Sequence, residues 1–316
     1  MVRYSLRRLG IALAVLLGVT ILNFAIMHLA PGNPVDMLVD PSAPQETVEY
    51  KKEQLGLNDP APVQYAKWLS GLLQGELGYS LSTSAPVSEM IAERLKPTLL
   101  LSGLSLLLGL LLAIPAGIWC ALRPGSRLDH VLTGLAFANT SIPRFFLALA
   151  LIYLFANVLD WLPSGGMYSL GGDRGWTDSL KHLILPVVVL GTLIAGKLLL
   201  YIRSAVLDVL AQDYMRTARS KGLHPWRVLN WYLLRNALIP LITVVSAEVP
   251  HLLGGSIIIE QIFQWPGVGQ LTIQALMARD YPTLMGLNLV AAAIVLAANL
   301  LADLAYTAAD PRIKLE

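Results

Sequence analysis

The sequence predicts an all-α integral membrane protein with about six transmembrane helices, and three observations carry that prediction. Hydrophobic residues fill 55% of the 316 positions and charged residues only 14%, where a soluble domain carries about a quarter charged. Apolar runs near the roughly twenty residues needed to cross about 30 Å of hydrocarbon recur along the chain. Lys and Arg gather in alternate connections between those runs, the asymmetry that orients multi-pass proteins.

The first span, about residues 9–29, follows Arg3, Arg7 and Arg8. A secretory signal has an apolar core of about 7–15 residues. This run is longer and ends in Ala30-Pro31-Gly32-Asn33-Pro34, so it reads as an uncleaved span.

Residues 30–97 are expected to form an external cap loop with helices of its own. Asp59-Pro60 precedes Val63, Ala66, Trp68, Leu69, Leu72, Leu73 and Leu77, which lie near one face at helical period. Ser88 reads as the N-cap of a second helix with Glu89 and Glu93 in its first turns, running along the membrane surface into the next span.

The remaining spans are expected at about 98–122, 131–159, 180–202, 237–259 and 281–306, within a single transmembrane domain covering 1–316. Basic residues collect at the N-terminus, at Arg123 and Arg127, at Arg203, Arg216, Arg219, Lys221, Arg227 and Arg235, and at Arg312 and Lys314. All four places fall on one side, which predicts that both termini are cytoplasmic.

Several function classes drop out. The net charge of +2 comes without a basic stripe, so no footprint for nucleic acid is present. One cysteine, Cys120, allows neither an intramolecular disulfide nor a thiolate metal site, and no metal or other cofactor is expected on this chain. The phosphate-cradling pattern of Gly, four residues, then Gly-Lys-Ser/Thr does not occur. Ser256 after Gly254-Gly255, with His251 nearby, lacks the setting of an activated nucleophile and reads as close helix packing. The chain is therefore not expected to be an enzyme.

Residues 204–236 are the expected cytoplasmic coupling segment, polar and basic between spans four and five. Leu207, Leu210, Tyr214 and Ala218 share a helical face, Gly222 tolerates the left-handed geometry that ends a helix, and His224-Pro225 begins the next piece. Such a helix either docks on a partner or lies at the inner headgroups, where Arg and Lys meet anionic lipid.

Charged and polar groups inside spans are costly in lipid and so are functional candidates. Arg144, Lys197, Glu248, His251 and Asp303 qualify, with Asn139, Asn157, Asn288 and Asn299 as milder cases. Glu248, His251, Arg144 and Asn139 are the candidates for lining a path, with Arg144 and Glu248 placed to pair; helix locking is the competing role. Pro143, Pro186 and Pro250 free carbonyls in or beside spans and predict bends. The Trp265-Pro266-Gly267-Val268-Gly269 loop is expected to face outward, its Trp anchored at the headgroups.

The run Asp213-Tyr214-Met215-Arg216-Thr217-Ala218-Arg219-Ser220-Lys221-Gly222-Leu223, followed by Leu234-Arg235-Asn236-Ala237-Leu238-Ile239-Pro240, resembles the coupling loop of importer permeases in the ATP-binding cassette superfamily. Only Ala218 and Gly222 match the superfamily's general pattern, and Arg235 stands in place of its Pro. The dipeptide, oligopeptide and nickel branch, and within it the first permease or B-type subunit, is matched better. Leu55-Gly56-Leu57, Gln64-Tyr65, Trp68-Leu69, Leu77-Gly78, Leu185-Pro186, the Trp265 loop, Arg279-Asp280-Tyr281-Pro282 and Asp310-Pro311-Arg312-Ile313 are similar to that branch. The likeness covers nearly the whole chain; Asn33 departs from it, standing where Asp is usual.

The resemblance implies a permease subunit of an ATP-driven importer, forming half of a path for peptides or peptide-like solutes in a bacterial or archaeal cytoplasmic membrane. It implies a second homologous permease, two ATPase subunits that use the ATP, and an extracytoplasmic solute-binding protein as partners. Asp213, Tyr214, Arg216, Thr217, Ala218, Arg219, Lys221, Gly222 and Leu223 would then couple to the ATPase, and Trp265, Pro266, Gly267 and Gly269 would contact the binding protein. An ion-coupled secondary transporter is the alternative; it would carry coupling acids on interrupted helices in two related halves, and no such repeat is evident.

Overall fold

The computed structural model describes residues 2–29, 44–54, 58–169, 171, 175–222, 224, 227–228, 232–233 and 235–309. Every regular element among them is helical: α1 Val2–Leu29, α2 Gln45–Gln54, α3 Ala61–Leu73, α4 Val87–Leu122, α5 Arg127–Ser141, α6 Arg144–Ile152, α7 Trp176–Leu210, α8 Asp213–Ser220, α9 Arg235–Ile262, α10 Val268–Met277 and α11 Tyr281–Ala309. Gly10–Leu29, Val87–Leu122, Trp176–Leu210 and Tyr281–Tyr306 are long and apolar enough to cross a membrane, and Leu241–Pro250 is a shorter apolar stretch within α9.

The chain divides into two compact units, Met1–Pro97 with Gly267–Leu296, and Thr98–Pro266 with Ala297–Glu316. The first unit exists because the chain returns late to its beginning. Val87 and Ile91 of α4 share an apolar cluster with Leu271 and Ala275 of α10 and Leu287 of α11. In the same unit α3 meets α1 through Tyr65, whose hydroxyl lies 2.9 Å from Thr20 Oγ1 and whose ring stands edge-on to Phe24.

The expected helix after Asp59-Pro60 is α3, which starts behind Pro60 and ends in a turn closed by Glu76 N–H donating to the Gly71 carbonyl, with Gly75 at φ +85°. Ser88, expected as an N-cap, lies inside the first turn of α4, because Pro86 supplies the preceding carbonyl to Met90. The helix expected to begin at Ser88 is continuous with the second span, since α4 runs unbroken for 36 residues, about 54 Å at 1.5 Å per residue.

The second unit is built around α7, whose side chains are buried along most of its length. Contact with α4 is close because glycines meet branched side chains: a Cβ on Gly109 would lie 2.7 Å from Ile194 Cγ2, and one on Gly117 2.8 Å from Ile202 Cγ2.

The segment expected as one span at about 131–159 is two helices, α5 and α6, meeting at 100°. Ile142 precedes Pro143 and is held extended at φ −76°, ψ 128°. The hydroxyls of Thr140 and Ser141 both return to the Phe137 carbonyl, a local bond that competes with helix continuation. After Ile152 the chain continues as one wider turn, Tyr153–Val158.

Candidate functional site

Helix α8 stands between α7 and α9 in the chain and is held from one side. Met215 and Ala218, three positions apart, are 1% and 2% exposed and belong to the apolar cluster of Ile202, Val206, Val228 and Leu233. Asp213, Tyr214, Arg216 and Thr217 are exposed. Of the expected face, Leu207, Leu210, Tyr214 and Ala218, Ala218 belongs to this cluster and Leu207 and Leu210 pack against it, while Tyr214 is exposed and Met215 is buried in its stead. The physical reason is a break at Ala211–Gln212: Leu207 and Leu210 close α7, and α8 restarts with Met215 N–H donating to the Gln212 carbonyl.

Gly222 has φ +68° with open space around its α-carbon, as expected of a residue that stops a helix. Lys221 N–H donates to the Thr217 carbonyl at 3.1 Å in the last turn. The Arg219 side chain and Leu223 lie outside the described residues.

The base of this segment is braced by an ion pair that sequence reading missed. Arg203, near the end of α7, donates Nε to Asp129 Oδ1 at 2.7 Å and Nη2 to Oδ2 at 2.9 Å. Asp129 is 2% exposed and also accepts from Gly125 N–H at 2.9 Å. A fork of two charge-assisted bonds onto a buried carboxylate fixes direction as well as distance. A signal was available: Ser126 caps α5 by accepting from Asp129 N–H, the Ser-x-x-acid spacing of a helix start.

Within the second unit, three helices bring charged side chains to one small recess. Arg144 opens α6, Lys197 lies in α7 and Glu248 in α9, and Leu190, Leu193, Ile194 and Leu252 complete the lining. Glu248 is 7% exposed. Of the two alternatives, pairing with Arg144 or lining a path, the pairing is not formed, and Glu248 meets Lys197 instead, Nζ to Oε1 at 3.6 Å. The reason is the break before α6, which starts a new helix at Arg144, while Lys197 and Glu248 face each other on the packed pair α7 and α9.

Asn139 does not join this recess. Its amide donates to the Thr192 carbonyl at 2.6 Å and rests beside Gly196, bracing α5 on α7. His251 is in α9 with its side chain outside the described residues.

Trp265 does not present its ring as a headgroup anchor would. It is fully buried, in a cluster with Leu101, Ile259 and Phe263, and its N–H donates to the Glu260 carbonyl at 2.8 Å. The tight turn after α9, with Gln264 at φ +49°, folds the indole back among these apolar side chains. Gly267 and Gly269 are buried as well, while Pro266 is half-buried and Gln264 is exposed.

The sequence matches two family descriptions: "Binding-protein-dependent transport system inner membrane component" over residues 113–315 and the N-terminal part of such membrane components over residues 1–102. The oligopeptide transport system permease protein AppB of Bacillus subtilis is 44% identical over 315 residues, covering 99% of this chain and 100% of the relative. The dipeptide transport system permease protein DppB of Alkalihalophilus pseudofirmus is 38% identical over 333 residues, covering 99% and 100%. The fold is similar to a chain of the MetNI methionine ABC transporter in an inward-facing form, with a TM-score of 0.57 and 18% identity over 70% of this chain and 96% of that one.

These likenesses support the importer reading over the ion-coupled alternative. The chain belongs to the binding-protein-dependent transport system inner membrane component family, and it is a multi-pass permease subunit of an ATP-binding cassette importer, a transport component and not an enzyme.

Proposed function

We propose that this permease carries peptides or peptide-like solutes inward and takes its driving force from separate ATPase subunits through α8. The observation that supports this reading most is the division of α8 into a pinned side, Met215 and Ala218, and an exposed side, Asp213, Tyr214, Arg216 and Thr217. A short helix held this way moves as one body with the cluster beneath it, which suits a lever that passes a partner's closure to the spans.

The complete importer would hold a second homologous permease, two ATPase subunits and an external solute-binding protein, with both termini of this chain cytoplasmic. Oligopeptide and dipeptide transport in the names of full-length relatives supports a peptide substrate. Arg144, Glu248 and His251 are the proposed path-lining residues. Asn139, committed to Thr192, is assigned a bracing role.

The test is to purify the tagged chain in mild detergent and identify its companions by mass spectrometry. Stoichiometric recovery of a nucleotide-hydrolysing subunit and a second permease is expected, and altering Tyr214 and Arg216 together should release the ATPase. In the assembled importer Gly222→Val should lower transport per ATP hydrolysed about tenfold, since a β-branched residue resists positive φ, whereas Gly222→Asn should keep most coupling. A chain that purifies alone and transports on an ion gradient would overturn the reading.

A further inference from the structure

The recess between α6, α7 and α9 has an unbalanced charge. It gathers two cations, Arg144 and Lys197, around one carboxylate, Glu248, among Leu190, Leu193, Ile194 and Leu252. The pair that forms is loose: Lys197 Nζ stands 3.6 Å from Glu248 Oε1, beyond an ordinary hydrogen bond. Arg144, half-buried at the start of α6, makes no hydrogen bond or ion pair among the described residues. The helix that begins at Arg144 adds the positive end of its dipole to the same place.

A purely structural lock would balance its charges, because an unpaired charge among apolar side chains is expensive. Here, among the described residues, one cation is left over and its fork of donors is unspent. A guanidinium is the side chain whose planar donors match a carboxylate two bonds at a time. Lys197 would add a second point of positive charge, and Glu248, by holding Lys197 only weakly, would let it turn toward a passing anion.

We infer that this recess is a transient carboxylate site that receives the C-terminal carboxylate of a peptide in transit, with Arg144 as its principal donor. This inference rests on the proposed peptide substrate. A path site must bind well enough to admit its cargo and weakly enough to release it, and a partly exposed Lys197, 37% accessible, keeps the positive charge partly solvated.

The experiment uses the assembled importer in nanodiscs without its binding protein, so that only the permease path contributes. Binding of tri-alanine and of tri-alanine amide is followed by saturation-transfer NMR for the native complex and for Arg144→Gln, with the thermal unfolding midpoint of each complex recorded alongside. The expected result is that the native complex binds the free acid about tenfold more tightly than the amide, and that Arg144→Gln erases the difference by weakening the acid alone, at an unchanged midpoint. Equal binding of acid and amide, no detectable binding of either, or loss of both together with a lowered midpoint would overturn the carboxylate site. Cellular uptake of labelled tri-alanine separates the two ideas: uptake with no acid preference in the recess sinks the site alone, whereas no uptake of any peptide sinks the substrate reading beneath it.

Discussion

Two buried carboxylates in this chain have opposite surroundings. Asp280, in the first unit just before α11, is 1% exposed and accepts from Ser80 Oγ, Ser82 Oγ and Thr283 Oγ1 and from the N–H groups of Leu81 and Thr283. Glu248, in the second unit within α9, is 7% exposed and meets one lysine at 3.6 Å. The difference teaches where this protein spends its polar groups. A carboxylate saturated with hydrogen bonds ties the loop of residues 79–86 to the start of α11 and gains from staying put. A carboxylate with, among the described residues, one loose partner stays available, which is what the proposed path-lining role requires.

The comparison can be broken most directly at Asp280. Asp280→Ala strands five donors in a buried place and should destabilise the protein by about 3 kcal/mol, read from reversible unfolding in mixed detergent. A loss under about 1 kcal/mol would mean the network is ornamental. Asp129→Asn should cost about 2 kcal/mol by the same measurement, because it leaves Arg203 with a neutral partner while keeping the shape. Its effect should also reach the proposed coupling segment, raising the hydrogen-exchange rate of the α8 amides.

Acid sharpens the contrast. Burial pushes the Asp280 carboxyl up, but the hydrogen bonds from Ser80, Leu81, Thr283 and Ser82 outweigh it and hold the group below the ordinary carboxylate value. A carboxyl depressed in the folded state contributes stability that is complete above its unfolded value, about 3.9, and is lost as pH falls through the folded value. Between pH 5 and pH 3 the native protein should therefore lose more stability than Asp280→Asn does, and equal losses would remove Asp280 from the explanation. The smallest expected effect is at Glu248. Glu248→Gln should change unfolding by less than about 1 kcal/mol, since its single ion pair is long and its lysine partly solvated. A loss as large as that at Asp280 would make the recess a structural lock.

Helix starts and stops were legible in residue order alone. Gly222 ends its helix with a positive φ, as a glycine after a polar helical run implies, and a helix does follow Asp59-Pro60. Tyr214 departs from the expected face because an amphipathic period does not carry through Ala211–Gln212, where two backbone hydrogen bonds close one helix before the next begins. Arg144 and Glu248 were both recognised as costly inside a span, but their partner was assigned by charge alone, without the break at Ile142-Pro143 that sets where α6 starts. Trp265 was read by the habit of aromatic residues at headgroups, which says nothing of the side chains waiting around it.

What the amino-acid sequence determined by itself is local or cumulative: apolar length, the asymmetry of Lys and Arg, helix starts and stops, and the motifs that carry the family likeness. These follow from hydrogen-bond satisfaction in lipid and from backbone sterics, which act within a few residues. Tertiary structure alone decided which distant groups meet: Ser80 with Asp280, Asp129 with Arg203, Lys197 with Glu248, and the indole of Trp265 with its apolar cluster. Within the second unit those meetings depend on the angle at which α5 gives way to α6 and on the closeness that Gly109 and Gly117 allow between α4 and α7, quantities fixed by packing in three dimensions and written at no single position of the chain.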